Sequence, residues 1–308
     1  MAELLTIGET MAVMAPSENG RLAEVPSFLL RIAGAESNTA VGVSRLGHSA
    51  AWISAVGDDE LGRFVKDSIA AEGVDISLVS TDKNHRTGLM IKEIVEDKTS
   101  VYYYRENSAA SHLNVENIPF CKLNGTKILH VTGITPVLSK SCRNVILEAM
   151  RWASENGVLV SFDPNIRRKI WGEVDYLPLL REMAFFSDIV LLGLSEAKEL
   201  YGTDEIAKIA SALLTEGVKC VVIKDGAKGA YAITENEFVF AQPYECTPVD
   251  SVGAGDGFNA GFLVGILEGR SLAECAKMGA LVGAMATETV GDVNGYPDRE
   301  AMRERLGF

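Results

Sequence analysis

One acid set among glycines offers the clearest chemistry in this sequence. In Asp250-Ser251-Val252-Gly253-Ala254-Gly255-Asp256-Gly257, three glycines bracket Asp256, and an apolar run from Phe258 to Leu267 follows directly. Glycine adopts backbone angles that turn several N–H groups to one side. The apolar run predicts a buried helix over 257–267, whose first amides and positive dipole end point to the same place. A turn that stabilises an anion beside a carboxylate able to hold a hydroxyl proton suits phosphoryl transfer to an alcohol. The same residues also fit a glycine-rich loop that merely caps a core helix.

The rest of the chain must supply the scaffold for that turn. At 308 residues and 47% hydrophobic content it can bury one large core with a smaller appended unit. A net charge of −13 without Lys/Arg clusters argues against nucleic acid or an anionic membrane as partner. The five dispersed cysteines read as reduced thiols of a cytoplasmic protein, and neither a signal peptide nor a membrane-spanning run is evident. None of the four histidines (48, 85, 112, 130) has metal-ligand spacing.

Patterning assigns strands to Leu4–Gly8, 51–56, 128–132, 158–162, 189–192 and 218–224, and helices to 36–46, 60–72, 140–155, 175–186 and 206–216. A hairpin over 229–241 and helices over 257–267, 272–287 and 298–306 complete the series. Alternation of strand and helix predicts an α/β, doubly wound, mostly parallel sheet covered on both faces. Two stretches stand apart: 11–33, with Pro16, Gly20 and Pro26, and 86–108, which carries a hairpin signature with its turn at 96–98. Together they predict a small β-sheet lid, leaving 1–10, 34–85 and 109–308 as the α/β body. In open parallel sheets ligands lie at the carboxyl ends of the strands.

Several segments together resemble one family, and the resemblance runs in order along the whole chain. The stretch Asp250–Gly261 resembles the C-terminal signature of the ribokinase-like (PfkB-type) carbohydrate kinases. Their N-terminal signature is resembled by Ala33-Gly34-Ala35-Glu36-Ser37-Asn38-Thr39-Ala40, by Arg45-Leu46-Gly47 and by Val56-Gly57-Asp58-Asp59-Glu60-Leu61-Gly62. The resemblance implies ATP with Mg²⁺ as phosphoryl donor to a sugar hydroxyl. It assigns Asp256 as catalytic base, the amides of Gly253, Ala254 and Gly255 as anion hole, and the loop holding Lys224 and Gly226 as nucleotide-binding. Glu196 is implied as an indirect Mg²⁺ residue, although Gly193 stands where the family's Asn-x-x-Glu element has asparagine. Asp250 and Ser251 match positions that bind a monovalent cation, K⁺, in some members.

Substrate choice is expected from the lid and neighbouring loops. Val101-Tyr102-Tyr103-Tyr104-Arg105 ends in a cation, and Phe162-Asp163-Pro164-Asn165-Ile166-Arg167-Arg168 places another after a predicted strand. Two guanidinium groups in one pocket favour a sugar acid, because each offers paired donors to a carboxylate. With His130–Pro136 and Gly291-Asp292, these segments resemble the 2-keto-3-deoxygluconate kinases of the family. There, residues matching Gly34, Tyr103, Arg105, Ile134, Arg167 and Asp292 surround the substrate, and the terminal hydroxyl is phosphorylated. Met90 departs, standing where several such kinases have tyrosine. Either face of the tyrosine strand can point inward, and the assignment of Tyr103 rests on the resemblance and on alternation with Arg105.

Fructokinase is the alternative within this family. A nicotinamide-dependent oxidoreductase fits Gly255-x-Gly257-x-x-Ala260 but lacks a good preceding strand and the acid about 20 residues on. A silent sugar or nucleotide sensor would be consistent with Gly193 and at odds with Asp256. An apolar outer face of the lid sheet would pair the chain with a second copy of itself.

Overall fold

The computed structural model describes residues 2–96 and 98–307, and all counts below are of these residues. In chain order the strands are β1 (Leu4–Ile7), β2 (Met11–Pro16), β3 (Phe28–Ala33), β4 (Ala50–Gly57), β5 (Val79–Asp82), β6 (Leu89–Val95) and β7 (Lys98–Tyr104). They continue as β8 (Ile128–Thr132), β9 (Leu159–Asp163), β10 (Ile189–Gly193), β11 (Cys220–Lys224), β12 (Ala230–Ile233) and β13 (Phe238–Ala241). The first five helices are α1 (Ala35–Arg45), α2 (Glu60–Ala71), α3 (Thr135–Leu138), α4 (Lys140–Glu155) and α5 (Leu177–Phe185). The others are α6 (Leu194–Tyr201), α7 (Ile206–Thr215), α8 (Ala254–Leu267), α9 (Leu272–Ala286) and α10 (Arg299–Leu306).

Nine strands form the main sheet in the order β13-β12-β11-β10-β9-β8-β1-β4-β5. Pairing is parallel from β5 to β11, and the hairpin of β12 and β13 adds the antiparallel edge. Strands covered on both faces are apolar at consecutive positions. Leu4 and Leu5 of β1 accordingly belong to different cores, Leu4 with Trp52 and Ile128, Leu5 with Ile53 and Leu129, each at most 1% exposed. Strand order reverses at β1, whose neighbours are β4 on one side and β8 on the other. That reversal opens a crevice at the carboxyl ends, where ligands of such sheets bind.

The stretches set apart by the sequence join as a second sheet of four strands, β3-β2-β6-β7. Its inner face carries the small core of Met11, Val13, Ala33 and Met90. Leu29, Leu30, Tyr102 and Tyr104 are exposed.

Several elements correct the sequence reading, β5 and α3 among them, neither of which was expected. Helix α8 begins at Ala254, three residues before the expected start, so Asp256 lies inside its first turn rather than in a loop before it. Helix α6 was not expected as a separate element; its eight residues leave little room for a periodic signal. Among the described residues no helix is long and apolar enough to cross a membrane, and all five cysteines are free.

Candidate active site

Helix α8 starts from a turn only glycine accommodates comfortably. Gly253 has φ +78°, and a Cβ there would lie 1.9 Å from the Asp292 carbonyl oxygen. Tyr296 anchors the turn from behind, its hydroxyl donating to the Gly253 carbonyl at 2.7 Å. The helix N-terminus thereby faces a cavity of about 840 Å³ between the carboxyl ends of the main sheet and the underside of the lid.

Almost every residue singled out in the sequence lines this cavity. Gly34 comes from the start of α1, Ile134 from the turn after β8, Arg167 from the loop after β9, and Glu196 from α6. Lys224 ends β11 and Gly226 follows it; Tyr103 and Arg105 come from the lid, Asp292 from the loop after α9, and Gly253, Gly255, Asp256 and Ser251 from around the head of α8. Ala254 and Asp250 stand outside the lining. The Ala254 N–H is engaged by the Ser251 carbonyl at 3.3 Å, and the Asp250 carboxylate accepts from the Val252 and Gly291 amides at 3.1 and 3.2 Å. Gly34 is fixed by close approach, since a Cβ would lie 2.6 Å from the Glu9 carbonyl oxygen.

Asp256 is 9% exposed. Asn38 donates to its Oδ2 at 2.8 Å, and Asn165 Nδ2 stands 3.5 Å from Oδ1. Burial, reinforced by the negative charge of Asp163, pushes its carboxyl up to about 7, against the Asn38 bond and the charges of Arg167 and Lys224. A carboxyl titrating near neutrality is suited to taking a proton.

Beneath it lies a network that the sequence reading missed. Lys224 Nζ reaches Asp163 Oδ2 at 2.8 Å and Asn259 Oδ1 at 3.0 Å, while Asn259 donates to the same Asp163 oxygen at 2.7 Å. Burial works against ionisation of Asp163, but the Lys224 charge and these bonds hold its carboxyl below the usual range. Asn165 occupies a left-handed conformation at φ +40°, its backbone N–H donating to Asp163 Oδ1 at 2.9 Å. The signal was present: Asp163-Pro164-Asn165 immediately follows a predicted strand, at the end where ligands bind.

Glu196 is a clamp. Its two oxygens accept from the main-chain amides of Ile166 (2.7 Å) and Gly193 (2.8 Å), tying the loop after β9 to the end of β10. Burial, with Asp163 nearby, raises its pKa. With both oxygens engaged, it fits an indirect rather than a direct metal role. Unpartnered buried acceptors near the floor, Asn38 Oδ1 and Asn165 Oδ1, leave polar atoms suited to a hydrated metal or a hydroxyl.

The two arginines differ. Arg167 is exposed on the cavity rim, with Nη1 on its neighbour's carbonyl at 3.2 Å. Arg105 is buried against Glu9, Nε and Nη2 lying 2.7 and 2.5 Å from one carboxylate oxygen. Of the three tyrosines, Tyr103 faces the cavity, while Tyr102 and Tyr104 are 43% and 63% exposed. Met90 pairs with Tyr103 across the hairpin and also lines the cavity. Among the lining residues to which the sequence reading gave no role are Glu36 and Lys92. Glu36 is buried with Thr132 and Thr135 donating to one oxygen at 2.7 Å each, and Lys92 pairs with Asp292.

The dinucleotide reading fails on this geometry. Gly255, Gly257 and Ala260 lie within α8, and among the described residues no strand leads into that helix.

A family model for pfkB carbohydrate kinases matches residues 1–299. The 2-dehydro-3-deoxygluconokinase of Bacillus subtilis (strain 168) is 38% identical over 309 residues, covering 99% of this chain and 95% of that protein. Among solved structures, a PfkB protein from Polaromonas sp. JS666 is similar with a TM-score of 0.91 at 34% identity, covering 98% of this chain and 99% of that one. The 2-dehydro-3-deoxygluconokinase of Thermotoga maritima reaches 0.90 at 25% identity, covering 99% and 98%. With a cavity floored by an acid in the first turn of α8 and roofed by a four-stranded lid, the chain belongs to the pfkB family of carbohydrate kinases.

Proposed function

We propose that this protein transfers the γ-phosphoryl group of ATP to the terminal (C6) hydroxyl of 2-keto-3-deoxygluconate, the sugar acid also named 2-dehydro-3-deoxygluconate. The observation that carries the reading is one cavity holding a buried acid near the α8 N-terminus and two arginines toward the lid and rim. The relatives named above support it, since two carry that activity in their names.

In this reading Asp256 Oδ accepts the hydroxyl proton, and Asn38 aims the carboxylate. Amides at the head of α8, those of Gly253 and Gly255 foremost, face the charge that develops on the phosphoryl oxygens. Lys224 and Gly226 border the nucleotide. ATP with Mg²⁺ supplies the phosphoryl group and screens its charge. Glu196 holds the loops around that ion, and Asp250 with Ser251 is the candidate seat for K⁺. Arg167 and Arg105 grip the sugar carboxylate, with Gly34, Tyr103, Ile134 and Asp292 around the rest of the sugar. The lid comprises 11–33 and 86–108, and the remainder forms the body. Exposed Leu29, Leu30, Tyr102 and Tyr104 suit pairing of two copies through the lid, in the cytoplasm.

Fructokinase remains the second reading, favoured by one observation: Glu9 already neutralises Arg105, which suits a neutral sugar as well. A coupled ADP-release assay run side by side on 2-keto-3-deoxygluconate, fructose and ribose separates them. Preference for the sugar acid by at least about ten-fold in kcat/KM, the scale of 1.4 kcal/mol, is expected, and preference for fructose sinks the proposal. Replacing K⁺ by Na⁺ in the same assay tests the cation. Light scattering of the purified protein tests the pairing.

A further inference from the structure

Lysine is an unusual choice for the inner face of a lid strand. Met90 and Lys92 share the face of β6 that looks into the cavity, by the two-residue alternation of a strand. Lys92 is 8% exposed, and a buried ammonium needs a partner. It finds one across the cleft, its Nζ lying 3.2 Å from Asp292 Oδ1, with side-chain exposures of 10% and 8%.

The pair leads directly to the candidate base. Asn38 Nδ2 lies 3.4 Å from Asp292 Oδ2 and 2.8 Å from Asp256 Oδ2, so the two hydrogens of one amide group serve two acids. Asp292 also touches the anion-binding turn, because its carbonyl occupies the space a Gly253 Cβ would need. An Asp292 carboxylate stripped of its cation would draw the shared amide toward itself, since hydrogen bonds to an unpaired buried charge are the stronger ones. Asp256 would then lose its main side-chain partner.

We propose that Lys92 is a positioning residue: through Asp292 and Asn38 it fixes where the Asp256 carboxylate stands, so that turnover requires the lid docked on the body. The inference rests on the kinase reading given above. It adds a reason for the lid beyond covering the sugar. Lys92 enters the chain only from the lid, whereas Asp292, Asn38 and Asp256 all belong to the body.

Lys92→Met keeps the aliphatic stem and removes the charge. It should lower kcat by about ten- to a hundred-fold, the loss expected from misplacing a reacting group, with KM for ATP within about two-fold. Lys92→Arg should recover most of the loss. Combined with Asp292→Asn, it should cost no more than the worse single change, because both cut one chain. In the ligand-free protein, amide hydrogen exchange across 89–104 should quicken in Lys92→Met. Wild-type kcat in Lys92→Met overturns the proposal, as do losses that multiply in the double variant or exchange that stays unchanged. A wild-type enzyme that prefers fructose counts against the sugar-acid reading alone, and the variants are then compared on fructose. If it turns over none of the three sugars, the kinase reading fails, and the exchange measurement, which needs no substrate, decides the latch.

Discussion

Buried charge is handled differently on the two sides of the cleft. On the floor, Asp163 is satisfied by Lys224, Asn259 and the Asn165 amide, and Glu196 by the amides of Gly193 and Ile166, all within the body. On the lid side, Lys92 and Arg105 find their anions, Asp292 and Glu9, only by reaching across to the body. The Asp163 and Glu196 clusters are therefore preorganised whatever the lid does, whereas the lid's cations are matched, and Asp256 is held through Asp292 and Asn38, only when it is docked. Chemistry that consists mainly of placing groups needs the first arrangement. Choice among sugars can be assigned to the second, since a substrate carboxylate competes for cations already partnered.

The floor should break hardest. Asp256→Asn is expected to lower kcat by about a hundred- to ten-thousand-fold, the range for a positioned acid or base, with little change in sugar KM. The same change should stabilise the fold at pH 8 and leave it unchanged near pH 4. The sign follows from the raised carboxyl, which titrates near 7 in the fold against 3.8 as its ordinary value. The folded state then holds more protons between those pH values, so stability declines as pH rises through the window and is fully penalised above 7. Asparagine carries no such penalty. Calorimetry at both pH values tests it, and equal melting temperatures for variant and wild type at pH 8 would contradict the burial argument.

The pH profile of the wild type sharpens the same point. Because kcat/KM reports ionisation of the free enzyme, its acid limb should fall as pH drops through about 7. A limb near 4, the ordinary carboxyl value, would mean that burial does not tune Asp256.

The arginines test the lid side. Arg105→Ala strands Glu9, whose side chain is 1% exposed, and should cost about 3–5 kcal/mol of stability, the range for breaking a buried pair. Arg167→Ala breaks no buried ion pair, and its cost should fall on the sugar acid, at about 2–5 kcal/mol in kcat/KM, and much less on fructose. Denaturant unfolding and paired kinetics separate the two. Equal stability losses would mean that the lid's pairing is no different from the rim's.

Local pattern made much of this readable, and distance hid the rest. Strand β8 and helix α4 stand at the boundaries expected from their periodicity, and the lid stretches declared themselves by losing it. Helix α8 is longer than the expected 257–267 because Gly255 and Asp256 have loop propensities, yet packing holds them in the first turn. Asp256 and Lys224 were legible as residue types in suggestive loops. Their partners were not, since Asn38 lies 218 residues from Asp256 and Asp163 lies 61 from Lys224. A lysine in an apolar strand carried a signal in its parity with Met90, but only the fold says what stands opposite.

The mildest change addresses the one position where the floor departs from the family pattern. Gly193 has φ −75° and ψ 149°, ordinary extended angles, and caps the N-terminus of α6. A Cβ there meets only the Glu196 side chain, with Oε2 at 3.2 Å, so asparagine fits after a shift of a few tenths of an ångström. As an N-cap, asparagine exceeds glycine by only a few tenths of a kcal/mol. Gly193→Asn should therefore raise stability slightly, by about 0.3 kcal/mol, and leave kcat within about two-fold. Any gain should appear as a lower half-saturating Mg²⁺ concentration, because the new amide would stand beside the Glu196 clamp at the cavity wall. A large loss of activity would instead show that the floor is built around the missing side chain, and that its preorganisation extends to the end of β10.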